Sequence, residues 1–180
     1  HGVDPDMAMF GKTLGNGYAI TAVIGKEHVM QAAQDTFISS TFWTERIGPS
    51  AAIASLEAMK EEDAPDRINS IGLQVQRKWK ELAEKFDLKI NVSGIPSLST
   101  FSIDGFDPAV IKTFIIQEML DRGYISGPVF YACIEHSTVL DGYFDSIGDV
   151  FKIISESGDS ENLASRINGP ICHTGFRRLA

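Results

Sequence analysis

The segment "DMAMFGKTLGNGYAITAVIG" (residues 6–25) places two apolar runs on either side of a glycine-rich connection. Residues 7–10 are all apolar, which predicts a short buried strand that ends at Gly11-Lys12. Gly15-Asn16-Gly17 predicts a turn, and the β-branched residues of 18–25 predict a second strand. A strand without polar positions suits the middle of a parallel sheet that is covered on both faces, so the segment predicts an α/β fold.

Lys12 stands in a Gly-Lys-Thr triplet, which invites comparison with the P-loop that binds nucleotide phosphates. The P-loop pattern requires a glycine five positions before its Gly-Lys pair, and this chain has Asp6 there. A carboxylate at that position would repel a phosphate and enlarge the tight turn. Nucleotide binding through this segment is therefore excluded.

The place of Lys12 in the predicted sheet still suits a catalytic group, because α/β proteins present such groups at the carboxyl edge of their strands. Desolvation there would lower the pKa of the ammonium, and a neutral amine can attack a carbonyl carbon to form a Schiff base. The alternative is a lysine whose side chain runs from the strand end to solvent. Spacing alone leaves both interpretations open.

The order of motifs around Lys12 resembles the cofactor-lysine segment of the class III (subgroup II) pyridoxal-phosphate aminotransferases, of the glutamate-1-semialdehyde 2,1-aminomutase-like kind. Asp6-Met7-Ala8 precedes the Gly-Lys pair and Asn16-Gly17 follows it; the family's next strand and helix start are matched by Gly25, Lys26, Val29 and Met30. The resemblance implies that pyridoxal 5'-phosphate is the cofactor. It also implies that Lys12 forms the Schiff base and moves a proton between the substrate Cα and the cofactor C4′.

The segment "SSTFWTERIGPSAAIASLEAM" (residues 39–59) is similar to the family's segment in which a threonine reaches the partner subunit's cofactor phosphate. Thr41 is the matching residue, so the resemblance implies a homodimer whose cofactor site is shared across the interface. Residues 43–49 replace the Gly-Asn-Pro turn of many members, which leaves the local substrate pocket undefined. The alternative for Thr41 is a loop hydroxyl that caps the next helix.

The remainder of the chain predicts helices and a small sheet. Small residues over 47–59 predict a closely packed helix, a long amphipathic helix with Asp66 as its cap follows, and the order β-β-α-β-α begins near residue 88. Within that order Asp107, Pro108 and Gly123 mark the start and stop of one helix.

The resemblance implies an α/β fold: the C-terminal part of a fold-type I transferase. Residues 1–62 would be the end of the large cofactor-binding domain with its sheet, 63–87 a linking helix, and 88–180 the small C-terminal α/β domain. The family's phosphate loop, its ring-stacking aromatic residue and its pyridinium-pairing Asp precede the lysine and are not among these 180 residues. We therefore expect a fragment of a longer enzyme that is inactive alone.

Three functions follow as candidates: transamination between a small amino donor and an oxo acceptor, intramolecular amino transfer by an aminomutase, and a non-catalytic interaction domain. Among the other polar residues, His136 is expected at a strand end and hydrogen-bonded, and His28 on a surface helix. Arg177, near His173 in the tail, is expected either to meet a substrate carboxylate or to pack the tail onto the body.

The composition narrows the classes of partner. The chain has a formal charge of −8 and lacks the clustered Lys and Arg of a nucleic-acid interface. No apolar run has the length that crosses a bilayer. Cys133 and Cys172 lack metal-ligand spacing and are too few for a disulfide framework. We expect two plain thiols in the cytoplasm, no metal, no membrane and no nucleic acid.

Overall fold

The computed structural model describes residues 2–39, 41–173 and 175. These fall into two compact units, one ending at residue 64 and the other beginning at residue 65. In chain order the helices and strands are β1 (Met7–Phe10), β2 (Ala22–Gly25), α1 (Glu27–Met30), α2 (Ile47–Glu61), α3 (Ala64–Lys85), β3 (Ile90–Ile95), β4 (Leu98–Ile103), α4 (Pro108–Asp121), β5 (Val129–Tyr131), α5 (Leu140–Ser157) and α6 (Ser160–Ala164).

The first unit contains a two-stranded antiparallel sheet, in which Met7 pairs with Gly25 and Phe10 with Ala22. The expectation of a parallel strand buried on both faces is wrong for β1 in the described chain. β2 is its one neighbour there, and 79% of Met9 is exposed. A two-stranded ribbon cannot cover both of its own faces, so the apolar residues that predicted burial remain open to solvent.

The helices of the first unit follow the sequence pattern more closely. The helix start that the resemblance implies near Lys26 corresponds to α1, which is followed by a 3₁₀ turn over Gln31–Asp35. The helix predicted over 47–59 is confirmed as α2, with Gly48 and Ala52 buried. The second strand is shorter than predicted, because residues 18–21 form the connection that leads into β2.

The second unit contains a three-stranded antiparallel sheet of order β3-β4-β5 with helices packed against it. The predicted order β-β-α-β-α is confirmed, and the short α6 follows α5. Asp107 caps α4 by accepting hydrogen bonds from the backbone N–H groups of Ala109 and Val110, at 2.8 and 3.1 Å. Gly123, at φ +89°, follows the helix end, as the sequence predicts.

The long helix α3 begins at Ala64, so Asp66 lies inside its first turn and is not the cap. An acidic residue there still complements the positive end of the helix dipole. The apolar stripe of α3 joins the core of the second unit, where its buried members are Ile71, Val75, Trp79, Leu82 and Ala83. The division of the chain at 62 and 87 stays a prediction.

Aromatic rings and aliphatic side chains of α3, α4, α5 and the sheet form this core. The Trp79 ring meets the Phe101 ring edge-on with centroids 4.7 Å apart, and Phe101 meets Phe151 at 5.4 Å. The apolar residues of α5 form one stripe that is buried throughout, from Leu140 to Ile154. In the described part of the chain, no helix is both long and apolar enough to cross a membrane.

Candidate functional site

The connection between β1 and β2 carries Lys12 in an uncommon backbone conformation. A single 3₁₀ turn spans Lys12–Leu14, closed by hydrogen bonds from Leu14 N to Gly11 O at 3.1 Å and from Asn16 N to Lys12 O at 3.1 Å. Lys12 itself has φ +52°, in the left-handed region that side chains with a Cβ rarely adopt. Such outliers persist where the surrounding structure holds them, and they are frequent at functional sites.

Two contacts hold the Lys12 turn in place. The chain folds back so closely at Gly15 that a Cβ there would lie 2.1 Å from the carbonyl oxygen of Tyr18. Ser55 of α2 donates a hydrogen bond of 2.8 Å to the carbonyl oxygen of Thr13. The turn that carries Lys12 is therefore held by the close approach of Gly15 to Tyr18 and by the hydrogen bond from Ser55 of α2.

The open end of the hairpin is joined by ion pairs. Lys26 Nζ lies 2.9 Å from Asp6 Oδ1 and 3.0 Å from Asp4 Oδ2, and the backbone N–H of Lys26 donates to Asp6 O. These carboxylates, Asp6 first, raise the pKa of Lys26. The acidic residue that excludes a P-loop thus has a structural partner 20 residues away, which no local motif in the sequence indicates.

A cleft of about 760 Å³ opens beside Lys12 within the first unit. Its described walls come from the connection that leads into β2 and from the loop before α2: Lys12, Gly17, Tyr18, Ala19, Ile20, Thr21, Phe42, Trp43, Glu45 and Pro49. Lys12 is exposed, so the expectation of a desolvated lysine at a buried strand end is wrong for the described chain. The reason is again the two-stranded sheet, which leaves its turn in water.

Some residues of the loop before α2 line the cleft, and Thr41 does not. Phe42, Trp43 and Glu45 line the cleft, whereas Thr41 is exposed and is not among the lining residues. The Glu45 carboxylate accepts hydrogen bonds from the backbone N–H groups of Ile47 and Gly48, the latter at 3.0 Å. Glu45 therefore caps α2, which is the role that the sequence left as the alternative for Thr41. In the sequence, Glu45 stands two residues before the start of this helix.

His28 and His136 are not among the described residues that line this cleft. His136 Nδ1 accepts a hydrogen bond from Cys133 N at 3.2 Å, and its ring lies 4.8 Å from that of Phe130. The expected hydrogen bond is confirmed, but the expected strand end is wrong, because His136 lies in a 3₁₀ turn over Ile134–Thr138 that follows β5. His28 is exposed on α1. Arg177 lies outside the described residues. Both cysteines are unpaired, and the described residues contain no cluster of His, Cys, Asp and Glu suited to a metal.

The cleft suits the cofactor that the sequence resemblance implies. Its volume is in the range of small-molecule sites, about 300–1,000 Å³, and it has aromatic walls that can contact a flat ring. Lys12 supplies a primary amine at its edge, the group needed to hold an aldehyde. Thr21 adds a hydroxyl at the same wall. The residues present therefore fit pyridoxal phosphate at this position.

The fold matches that of solved cofactor-bound transferases. The structure titled as the PLP internal aldimine form of FumI from Sphingopyxis sp. MTA144 matches with a TM-score of 0.79 at 19% identity, over 93% of this chain and 40% of that chain. The chain therefore has the α/β fold of part of a fold-type I pyridoxal-phosphate-dependent transferase.

The family is shown by sequence. The model of the family described as Aminotransferase class-III matches residues 1–140, and the chain belongs to that family. The 3-aminobutyryl-CoA aminotransferase of Cloacimonas acidaminovorans is 36% identical over 96 residues, 53% of this chain and 23% of the relative. A glutamate-1-semialdehyde 2,1-aminomutase of Lachnoclostridium phytofermentans is 28% identical over 103 residues, 55% of this chain and 24% of the relative. The matches thus span about a quarter of each relative's length.

Proposed function

We propose that the protein is a pyridoxal-phosphate-dependent aminotransferase that moves an amino group from a small amino compound to an oxo acceptor, with Lys12 as its catalytic residue. The observation that carries the proposal is the placement of Lys12 in a chain of the class III aminotransferase family. Its backbone has φ +52°, and its amine lines a cleft of cofactor size. Left-handed backbone at a lysine costs free energy, and a functional requirement for that amine accounts for its retention.

Lys12 has two tasks in this proposal. Its Nζ would hold the cofactor through the aldehyde carbon until the amino group of the substrate displaces it from that carbon. The freed amine would then take a proton from the substrate carbon that bears the amino group and deliver it to C4′. The cofactor, when bound, supplies the electron sink that makes this proton removable. The contacts at Gly15 and the Ser55–Thr13 hydrogen bond hold the backbone of the turn whose Lys12 lines the cleft, so that one amine can serve both carbons.

Thr41 is proposed to donate to the cofactor phosphate of a partner subunit in a homodimer. Two observations support this role: Thr41 is exposed, and it is absent from the lining of the cleft that contains its own chain's Lys12. The capping role that competed for Thr41 is filled by Glu45.

The two unpaired cysteines support a reducing compartment, and we propose the cytoplasm on that ground.

Borohydride reduction of the holoenzyme tests the role of Lys12. We expect the reduced protein to carry a pyridoxyl group on the peptide that contains Lys12, detected by mass spectrometry. Lys12→Ala should lose the adduct, whereas Lys60→Ala, an exposed lysine of α2 in the same unit, should keep it. An adduct on a different lysine of the unmodified protein would contradict the assignment.

An aminomutase is the second candidate, favoured by the relative from Lachnoclostridium phytofermentans. It moves the amino group between neighbouring carbons of one molecule, so it needs no separate oxo acceptor. Turnover of glutamate-1-semialdehyde without an added 2-oxo acid, and no amino transfer with one, would favour the aminomutase. A retained adduct on Lys12 without either reaction would favour the non-catalytic interaction domain.

A further inference from the structure

We propose that Glu45 makes the cleft selective for amino compounds that carry a second positive charge, such as alkyl diamines. This inference rests on the proposed function, because it concerns the substrate of that same site. The reaction would convert one terminal amine of the diamine to an aldehyde while a 2-oxo acid receives the amino group and becomes an amino acid. The other amine stays protonated and unchanged, and it is the group that Glu45 recognises.

The charge of the cleft supports this choice. Of the described residues that line it, two carry a formal charge at neutral pH, Lys12 and Glu45. Once the Lys12 amine holds the cofactor, Glu45 remains as the charged side chain of these walls. A negative wall attracts a remote ammonium and repels a remote carboxylate, since like charges in a partly enclosed site are weakly screened.

Glu45 is also held in a fixed orientation. Its two carboxylate oxygens accept from the N–H groups of Ile47 and Gly48 at the start of α2, and its own N–H donates to Phe42 O at 3.1 Å. A carboxylate has about four acceptor positions, so two such bonds leave positions for a ligand ammonium. The carboxylate need not lose further side-chain entropy when it binds, which favours recognition.

The approach of α2 to the cleft wall keeps this carboxylate in place. Gly48 lies so close to the preceding connection that a Cβ there would be 2.9 Å from the carbonyl oxygen of Ala19. Ala19 is itself part of the cleft lining. The first turn of the helix, and the carboxylate bonded to it, are therefore packed directly against the wall.

Three aromatic side chains surround the same space. Tyr18, Phe42 and Trp43 line the cleft, and Tyr18 and Trp43 are 60% and 70% exposed, so these two side chains have area available to a ligand. Aromatic faces attract cations and also accept the methylene chain of an alkyl amine. A carboxylate beside aromatic walls is the arrangement that binds an alkylammonium group, and it offers nothing to a remote carboxylate.

Calorimetric titration of the holoenzyme with pentyltrimethylammonium tests recognition without turnover, because this cation has no amino group to transfer. We expect Glu45→Gln to bind the cation about tenfold more weakly, because the quaternary ammonium has no N–H to donate and its attraction to Glu45 is the ion pair that this variant removes. Gln keeps one acceptor oxygen, which can retain one of the two hydrogen bonds at the start of α2. Glu57→Gln, an exposed glutamate of α2, should bind like the unmodified protein. Equal binding by Glu45→Gln and the unmodified protein would overturn the proposal.

Trp43→Ala provides a second variant that does not depend on the helix cap. The exposed ring should contribute a several-fold gain in affinity for the same cation, and its loss should leave the melting temperature unchanged. In turnover, Glu45→Gln should raise KM for 1,5-diaminopentane by a larger factor than KM for pentylamine. A preference of the unmodified enzyme for 5-aminopentanoate over 1,5-diaminopentane would also refute recognition by Glu45. Absence of the adduct on Lys12 in the unmodified holoenzyme would refute the proposed function instead.

Discussion

Trp79 Nε1 donates a hydrogen bond of 3.0 Å to Tyr143 Oη inside the core of the second unit. Trp79 lies on α3 and Tyr143 on α5, 64 residues later, and both side chains are buried. A polar bond thus joins two helices inside an otherwise largely apolar core. Because the Trp79 N–H cannot reach bulk water, it depends on the Tyr143 oxygen for its hydrogen bond.

Tyr143→Phe should destabilise the protein by about 1–3 kcal/mol, since it leaves the Trp79 N–H buried without its acceptor. Urea unfolding followed by circular dichroism measures this loss. Tyr131→Phe is the matched control: this ring is 70% exposed, so the free energy of unfolding should change by less than about 0.5 kcal/mol. Equal stabilities of the two variants would show that the bond contributes nothing.

The same tyrosine makes stability depend on alkaline pH. Burial raises the pKa of Tyr143 to about 12, against hydrogen bonds with Trp79 and Ser126 that lower it. Between pH 10 and 12 the unfolded chain loses a proton that the folded chain retains, so stability falls as pH rises. The difference in unfolding free energy between the unmodified protein and Tyr143→Phe should be about 1.4 kcal/mol smaller at pH 11 than at pH 8. A constant difference would contradict the burial.

Gly72→Ala should destabilise the second unit although alanine is the better helix former. A Cβ at this position of α3 would lie 1.8 Å from the carbonyl oxygen of Pro96, and backbone must move to admit it. We expect a loss of more than about 2 kcal/mol in place of the usual gain of about 1. Gly148→Ala in α5 meets the flexible end of Leu82 at 3.2 Å, and thermal unfolding should find it within about 1 kcal/mol of the unmodified protein.

Lys12→Gly and Lys12→Ala separate the strain at this residue from its chemistry. Both remove the amine, so both should lose the cofactor adduct. Glycine adopts φ +52° without steric cost, whereas alanine keeps the Cβ that makes this conformation unfavourable. The apoprotein with Lys12→Gly should therefore be about 1 kcal/mol more stable than that with Lys12→Ala, as measured by urea unfolding. The reverse order would show that the backbone is unstrained.

Local sequence predicted most of the second unit because its signals are self-contained. Asp107, Pro108 and Gly123 specify the ends of α4 by hydrogen bonding and backbone conformation within a few residues. The stripe of α5 needs the 3.6-residue period alone to place Leu140 and Ile154 on one buried face. Asp66 was predicted to cap α3, but the helix begins two residues earlier, at Ala64. In a sequence, an acidic residue of the first turn and an acidic cap look alike.

The sequence by itself determined the family, the order of helices and strands, and the lysine on which a catalytic role can rest, because each is encoded in residues close together along the chain. Only the tertiary structure decided that β1 pairs antiparallel and lies open, that Lys26 joins Asp4 and Asp6, and that Glu45 stands on the cleft wall. Strand partners and burial depend on segments distant in sequence, and an apolar run carries no information about which neighbour will cover it.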